Sequence, residues 1–134
     1  ERHGCLVGSE MCIRDSLIKP ALFRGDIEAV RAEEAGRILK QVRSGDRLIA
    51  LDERGDVIST EALAELARAS ARASTRRLVF AIGGPYGHGP EVRQRAYKVI
   101  SLSGMVLNHE LARLVLVEQL YRVSTLLWGG SYHH

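Results

Sequence analysis

The segment "RLVFAIGGPYGHG" (Arg77–Gly89) joins a short apolar run to a loop that is rich in glycine. The run does not alternate with polar residues, which is typical of a strand covered on both faces. Glycine lets the backbone adopt positive φ and approach a ligand closely. The loop is neither a dinucleotide fingerprint, because Val92 replaces the third glycine, nor a P-loop, because Pro90 replaces the lysine. The segment predicts a buried strand that ends either in a tight turn or in a loop that contacts a ligand.

Strands and helices alternate along the rest of the chain. The predicted strands are "RLIALD" (Arg47–Asp52, closed by the turn "ERGD"), Arg76–Gly83 and Lys98–Gly104. The predicted helices run from Asp26 to about Arg43, from a cap at Ser59 or Thr60, from Pro90 to about Tyr97 and from His109 to Trp128. This order indicates an α/β fold, with a parallel sheet and helices on both of its faces.

Ligands of parallel sheets bind at the carboxyl ends of the strands. The predicted strand ends are Leu51–Asp52, Gly83–Gly84 and Ser103–Gly104. The glycine-rich loop is then one of three segments that could line a single crevice. This position favours the ligand-contacting interpretation of the loop over the simple turn.

Composition allows a single globular domain. The chain has 134 residues, 46% of them hydrophobic, and a formal net charge of +3 with 19 Lys and Arg, mostly Arg. A mild Arg excess permits nucleic acid as a partner without demonstrating it. A disulfide scaffold is not expected from only Cys5 and Cys12, a membrane span is not expected without a long apolar run, and no Cys or paired-His spacing favours a metal site.

The first sixteen residues, "ERHGCLVGSEMCIRDS", differ in character from the rest. They show neither a helical nor a strand period, and they resemble translated sequencing-adaptor read-through. We interpret residues 1–16 as a foreign segment and residues 17–134 as the domain, so the native N-terminus is expected to be missing.

The last predicted helix, His109–Trp128, carries apolar residues around most of its circumference. Such a helix is typically buried on more than one side. In a domain of this size, the pattern predicts that the helix packs against a second subunit.

Several motifs together resemble a known family. They are "LDERG" (Leu51–Gly55), "IGGPYGHG" (Ile82–Gly89), "LSGMVLNH" (Leu102–His109), "LVEQLYR" (Leu116–Arg122) and the ending "YHH" (Tyr132–His134). In this order they resemble the RlmH family of SPOUT-class methyltransferases, over about Asp26 to His134. Asn108 before His109 is more similar to plant and algal members than to most bacterial ones.

The resemblance implies an α/β fold with a C-terminal trefoil knot over about residues 78–134, and a homodimer that joins the knot helices. It implies S-adenosylmethionine as cofactor and methylation of N3 of a pseudouridine in large-subunit ribosomal RNA. Family members begin with a strand, a helix and a second strand that are not found here in full, so an N-terminal truncation is expected.

The resemblance also implies roles for individual residues. The expected cofactor-binding residues are Leu51, Gly84, Ser103, Gly104, Met105, Val106, Leu107 and Asn108. The expected catalytic residues are His133 and Tyr132, which match the tail that the partner subunit would supply. His109 is a further expected catalytic residue, because loss of the N3 proton calls for a base and His109 follows the pocket loop. For His109 a helix cap or a core position stays open, and for His88 we expect a solvent-exposed or substrate-facing position. Tyr86 could stack on a flipped base or pack within the loop.

Two other functions stay open at this stage. One keeps the knot and the cofactor but changes the RNA, for example to a transfer RNA. The other is a non-catalytic dimeric RNA-binding remnant, which the foreign start and the missing N-terminal elements motivate. The compartment is also open between the cytoplasm and an organelle, where a plant-like loop would favour the organelle.

Overall fold

The computed structural model describes residues 6–7, 10–11 and 21–129. Its strands are β1 (Leu6–Val7), β2 (Glu10–Met11), β3 (Asp46–Val57), β4 (Arg77–Ile82) and β5 (Lys98–Ser101). Its helices are α1 (Ile27–Leu39), α2 (Thr60–Arg72), α3 (Pro90–Arg95) and α4 (His109–Trp128). The predicted alternation of strands and helices is confirmed from α1 to α4.

The described residues contain a parallel three-stranded sheet in the order β4-β3-β5. The central strand β3 carries apolar side chains that alternate between the two faces, and each face packs on helices. One core unites Ile49, Leu51, Leu63, Ala64, Leu66, Ala67, Leu78, Phe80, Ile100, Leu116, Leu120 and Val123. The other unites Ala35, Leu48, Ala50, Val79, Ala81 and Val92. The predicted α/β class with helices on both faces is therefore confirmed, whereas the knot stays a prediction.

Strand β3 is longer than the sequence pattern predicts. The segment "ERGD" does not close the strand, because β3 continues to Val57. The strand instead contains a bulge, since Leu51 and Asp56 both oppose Ile100 of β5. The residues between them leave the ladder and rejoin it, so the turn-like composition marks a bulge and not a strand end.

Three other elements end earlier than the sequence predicts. Helix α1 ends at Leu39, because Gln41 and Val42 donate to Ile38 and Leu39 in tighter turns and take the chain out of the α-helical ladder. Helix α3 ends at Arg95. Strand β5 ends at Ser101, whose hydroxyl donates to the Ser103 carbonyl oxygen and turns the chain away from the sheet.

Helices α2 and α4 begin as the sequence predicts. The Ser59 side chain accepts a hydrogen bond from the Ala62 amide and caps α2. The Asn108 side chain accepts one from the Leu111 amide and caps α4. The predicted range of α4, from His109 to Trp128, is confirmed at both ends.

The N-terminal segment contains a little regular structure. Strands β1 and β2 form a short antiparallel pair, although the sequence of residues 1–16 shows no strand period. The foreign origin of this segment, and the domain limits that follow from it, stay predictions.

Candidate functional site

The carboxyl ends of the three parallel strands lie side by side. Leu51 of β3 is opposed by Ile82 of β4 on one side and by Ile100 of β5 on the other. The glycine-rich loop follows Ile82, and the predicted pocket loop Leu102–Asn108 follows β5. The structure thus brings three predicted cofactor-binding segments, at Leu51, Gly84 and Ser103, to one edge of the sheet.

The glycine-rich loop, residues 83–89, forms a tight turn. The Gly87 amide donates to the Gly84 carbonyl oxygen at 3.0 Å, and Gly87 has a φ of +77°. A Cβ at Gly83 would lie 3.1 Å from the Gly87 carbonyl carbon, so the loop folds closely on itself there. The glycines at these positions are therefore required by the turn, whatever the loop binds.

Helix α1 holds one side of this loop. The Arg31 guanidinium donates through Nε to the Tyr86 carbonyl oxygen at 2.8 Å. The buried Glu34 carboxylate faces Gly84, since a Cβ at Gly84 would lie 3.0 Å from Oε1. The Tyr86 ring lies 5.8 Å from the Phe23 ring, centroid to centroid, and so makes a packing contact near the loop.

The other side of the loop is held by an ion pair from β3. The Asp52 carboxylate accepts hydrogen bonds from Arg54 Nε at 2.9 Å and Nη2 at 2.7 Å, and Nη2 also donates to the His88 carbonyl oxygen at 3.0 Å. The Arg54 hydrogen bonds outweigh the opposing effect of burial and lower the pKa of Asp52 to about 2. The sequence pattern does not predict this group, because it places Asp52 at the end of a strand and Arg54 in a separate turn.

His88 is buried, so the expectation of a solvent-exposed or substrate-facing side chain is wrong. Its Nε2 lies 3.0 Å from the Ala81 carbonyl oxygen, and only 3% of the residue is exposed. Burial lowers the pKa of His88 below 6.5, although this hydrogen bond and the nearby Asp52 charge act in the opposite direction. A neutral imidazole that donates to a backbone carbonyl has a structural role in this loop.

The loop after β5 is exposed. Met105 and Val106 are 75% and 76% exposed, and the Ser103 hydroxyl oxygen accepts a hydrogen bond from the Met105 amide. Apart from Gly104 itself and its two neighbours in the chain, no described heavy atom lies within 4 Å of the place where a Cβ would stand at Gly104. The backbone of this loop is thus open to a ligand.

The remaining predicted site residues are placed as follows. The Asn108 side chain is committed to capping α4, and His109 is exposed as the first residue of that helix. Leu107 is half-buried. Tyr132 and His133 lie outside the described residues, so their predicted catalytic roles stay predictions.

The residues at the strand ends fit a molecule such as S-adenosylmethionine, which has an apolar and hydrogen-bonding adenine and a cationic sulfonium. Buried Leu51 and half-buried Leu107 offer apolar surface, and the open Gly104 backbone offers polar groups. The Glu34 carboxylate beside Gly84 makes this edge of the sheet favourable for a cation.

Neither a metal centre nor a membrane span emerges from the described residues. They contain no group of three or more His, Cys, Asp or Glu side chains that could hold a metal ion. None of their helices combines the length and apolar character that a bilayer crossing requires.

Comparison with known proteins identifies the class of this fold and site. The family model described as "Predicted SPOUT methyltransferase" matches residues 10–133. The chain belongs to the SPOUT methyltransferase family, which confirms the resemblance found in the motifs.

Individual relatives are more specific. The chain is 47% identical over 111 residues to "Ribosomal RNA large subunit methyltransferase H" of Syntrophotalea carbinolica, covering 83% of this chain and 71% of that protein. It is 44% identical over 108 residues to the protein of the same name from Geotalea daltonii, covering 81% and 71%. It is also 47% identical over 109 residues to an Arabidopsis thaliana protein whose name assigns it provisionally to the RNA methyltransferases. That match covers 81% of this chain, which spans 56% of the length of the Arabidopsis protein.

Proposed function

We propose that this chain is an S-adenosylmethionine-dependent methyltransferase that acts on large-subunit ribosomal RNA. The observation that carries the proposal is the meeting of Leu51, the glycine-rich loop and the open loop after β5 at one sheet edge, in a chain whose family model covers nearly all of it. The relatives named as large-subunit ribosomal RNA methyltransferases support the choice of RNA. The finer target, N3 of a pseudouridine, rests on the motif resemblance.

S-adenosylmethionine would supply an electrophilic methyl group at this edge of the sheet. The chain has to hold the base in line with that group and accept the proton that leaves N3. A histidine is suited to proton transfer near neutral pH. His109 is our candidate within the described residues, because it is exposed at the start of α4 directly after the pocket loop. Tyr132 and His133 are proposed to complete the site from the partner subunit.

The homodimer is part of the proposal. Helix α4 buries one face, with Leu116, Leu120 and Val123, against the domain core. Leu111 and Leu114, on its opposite side, are exposed by 44% and 66%, and Trp128, at its last residue, by 36%. A helix with two apolar faces, of which the domain covers one, supports pairing with the same helix of a second copy.

The first test of this function is a calorimetric titration of S-adenosylmethionine into the purified chain. The blocked variant is Gly104→Trp, because a Cβ added there meets no described atom within 4 Å beyond the adjacent residues, so the indole can extend into the space proposed for the cofactor. Gly84→Trp is a less informative block, since its side chain would displace the Glu34 carboxylate. The matched control is Gly36→Trp, which adds the same side chain at an open position on α1. We expect binding by the wild type and by Gly36→Trp, and loss of binding in Gly104→Trp.

The second test measures transfer of a labelled methyl group to RNA. We expect incorporation into large-subunit ribosomal RNA that contains pseudouridine, and none into the same RNA made with uridine. Incorporation only into transfer RNA would overturn the choice of substrate. If the folded chain binds RNA but no S-adenosylmethionine, the proposed methyltransferase activity is wrong, and the chain is instead a non-catalytic RNA-binding remnant.

A further inference from the structure

The bulge in β3 carries Arg54 away from the ladder. Leu51 and Asp56 oppose the same residue of β5, so the segment between them must loop out. Gly55 makes this path possible, because a Cβ there would lie 2.8 Å from the Ile100 nitrogen and from the Val99 carbonyl group. Bulges commonly re-aim a side chain near a site, and here the re-aimed side chain is Arg54.

The Arg54 guanidinium connects the bulge to the glycine-rich loop. Two of its nitrogens bind the Asp52 carboxylate, and Nη2 also donates to the His88 carbonyl oxygen. The Arg54 amide donates to Asp52 Oδ1 at 2.9 Å, which fixes the carboxylate as well. The Asp52 side chain is 2% exposed and the Arg54 side chain 47%, so the carboxylate is shielded from solvent while the guanidinium spans from the buried pair to the surface. A bidentate pair of this kind is both strong and directional.

We propose that Asp52 and Arg54 form a clasp that holds the glycine-rich loop in the conformation that receives the cofactor. Arg54 is then a positioning residue, and its effect on the cofactor rests on the proposed function. The clasp binds the loop at His88, and Arg31 of α1 binds it at Tyr86, so the loop is anchored from both sides. A loop that is already in its bound conformation loses less entropy when the ligand binds.

The experiment compares Arg54→Ala and Asp52→Asn with the wild type, and uses Arg68→Ala as the control. Arg68 makes an exposed ion pair with Glu65 on α2, so its removal deletes an arginine without touching the loop. Hydrogen exchange of the loop amides, measured without cofactor, reports on the clasp directly. We expect exchange at Gly87 and its neighbours to become at least about tenfold faster in both clasp variants, while the β3 and β4 amides stay protected.

Cofactor affinity and turnover form the second readout. We expect the Kd of S-adenosylmethionine to rise about tenfold or more in Arg54→Ala, with kcat at saturating cofactor within about twofold of the wild type. Millimolar guanidinium ion should restore part of the affinity in Arg54→Ala, and should leave Arg68→Ala unchanged. A general structural weakening would not respond to this addition.

The outcomes separate the clasp from the function. If the wild type binds no S-adenosylmethionine, the proposed function fails, and faster loop exchange in Arg54→Ala still supports the clasp. If loop exchange is unchanged in Arg54→Ala, the clasp is overturned, whether or not cofactor affinity falls. If loop exchange is unchanged in Arg54→Ala but S-adenosylmethionine binds more weakly, Arg54 contacts the cofactor directly instead of positioning the loop.

Discussion

At the scale of single residues, the site depends on charges that are hidden from solvent. The Asp52 side chain is buried and ionised, and the His88 side chain is buried and neutral. Each has a backbone or side-chain partner that makes its burial tolerable. Neither role follows from the sequence, because the partner of Asp52 lies two residues along a bulge and the partner of His88 lies in the preceding strand.

The Asp52 carboxylate should make stability depend on acid pH. Its folded pKa of about 2 lies below the unfolded value of 3.8, so the stabilisation is nearly complete above pH 4 and is lost as pH falls from 4 through 2. We expect Asp52→Asn to be less stable than the wild type by about 2 kcal/mol at pH 7. The difference should shrink to about 0.4 kcal/mol at pH 2, where half of the folded carboxyl is still ionised.

Urea unfolding of both proteins between pH 7 and pH 2 measures this difference. Burial raises the pKa of Asp46, but hydrogen bonds from Arg77 and Arg43 lower it by more, so its pKa is below the usual value. Because Asp46 titrates in both proteins, its contribution cancels in the difference between their stabilities. A difference that stays constant with pH would show that Asp52 does not lose its charge in this range.

At the scale of elements, β3 is where sequence and structure diverge most. The residues "ERGD" have the composition of a turn, and a turn and a bulge have the same local signal. What distinguishes them is the register against β5, which depends on residues about fifty positions further along the chain. Helix α4 was predictable at both ends, because its apolar period and the Asn108 cap are local signals.

Replacing Gly55 with alanine should disrupt the bulge in β3. A Cβ there would meet main-chain atoms of Val99 and Ile100, which cannot move without shifting β5. We expect Gly55→Ala to lower the free energy of unfolding by about 2–4 kcal/mol, measured by urea denaturation.

The control for this substitution is Gly36→Ala. Gly36 is exposed on α1, with no described heavy atom within 4 Å of its Cβ position, so alanine should stabilise the helix by about 0.5–1 kcal/mol. Equal stabilities of Gly55→Ala and the wild type would mean that β3 and β5 do not approach as closely as described.

At the scale of the whole molecule, a single sheet separates two cores. The class of fold and the shared edge of the strand ends were predictable, because both follow from the alternation of strands and helices. The hydrogen bonds that Arg31 and Arg54 donate to the glycine-rich loop were not predictable, because they join α1 and β3 to a loop that is distant in the sequence. The loop is a tight turn, and it also lies at the sheet edge where the ligand-contacting interpretation placed it.

The exposed face of α4 should control association. We expect Leu114→Glu to raise the dimer dissociation constant at least about a hundredfold, because the proposed pairing would bury a carboxylate within that face. Sedimentation analysis of the wild type and the variant checks this result. Ile27→Glu, which adds the same charge at an exposed apolar position on α1, should leave association unchanged. A wild type that sediments as a monomer would overturn the dimer.

The parallel sheet also governs how the chain reaches its native state. Asp46 pairs with Arg77, and Ile49 pairs with Lys98, so a helix intervenes between the partners of every pairing in this sheet. Helices form within about a microsecond, but such distant strands must close long loops first, which slows folding toward the millisecond-to-second range. Until β5 arrives, one edge of β3 is unpaired. During synthesis, the unpaired edge and the uncovered core therefore persist until β5 and then α4 have been made, and this is the period in which the chain is prone to aggregate.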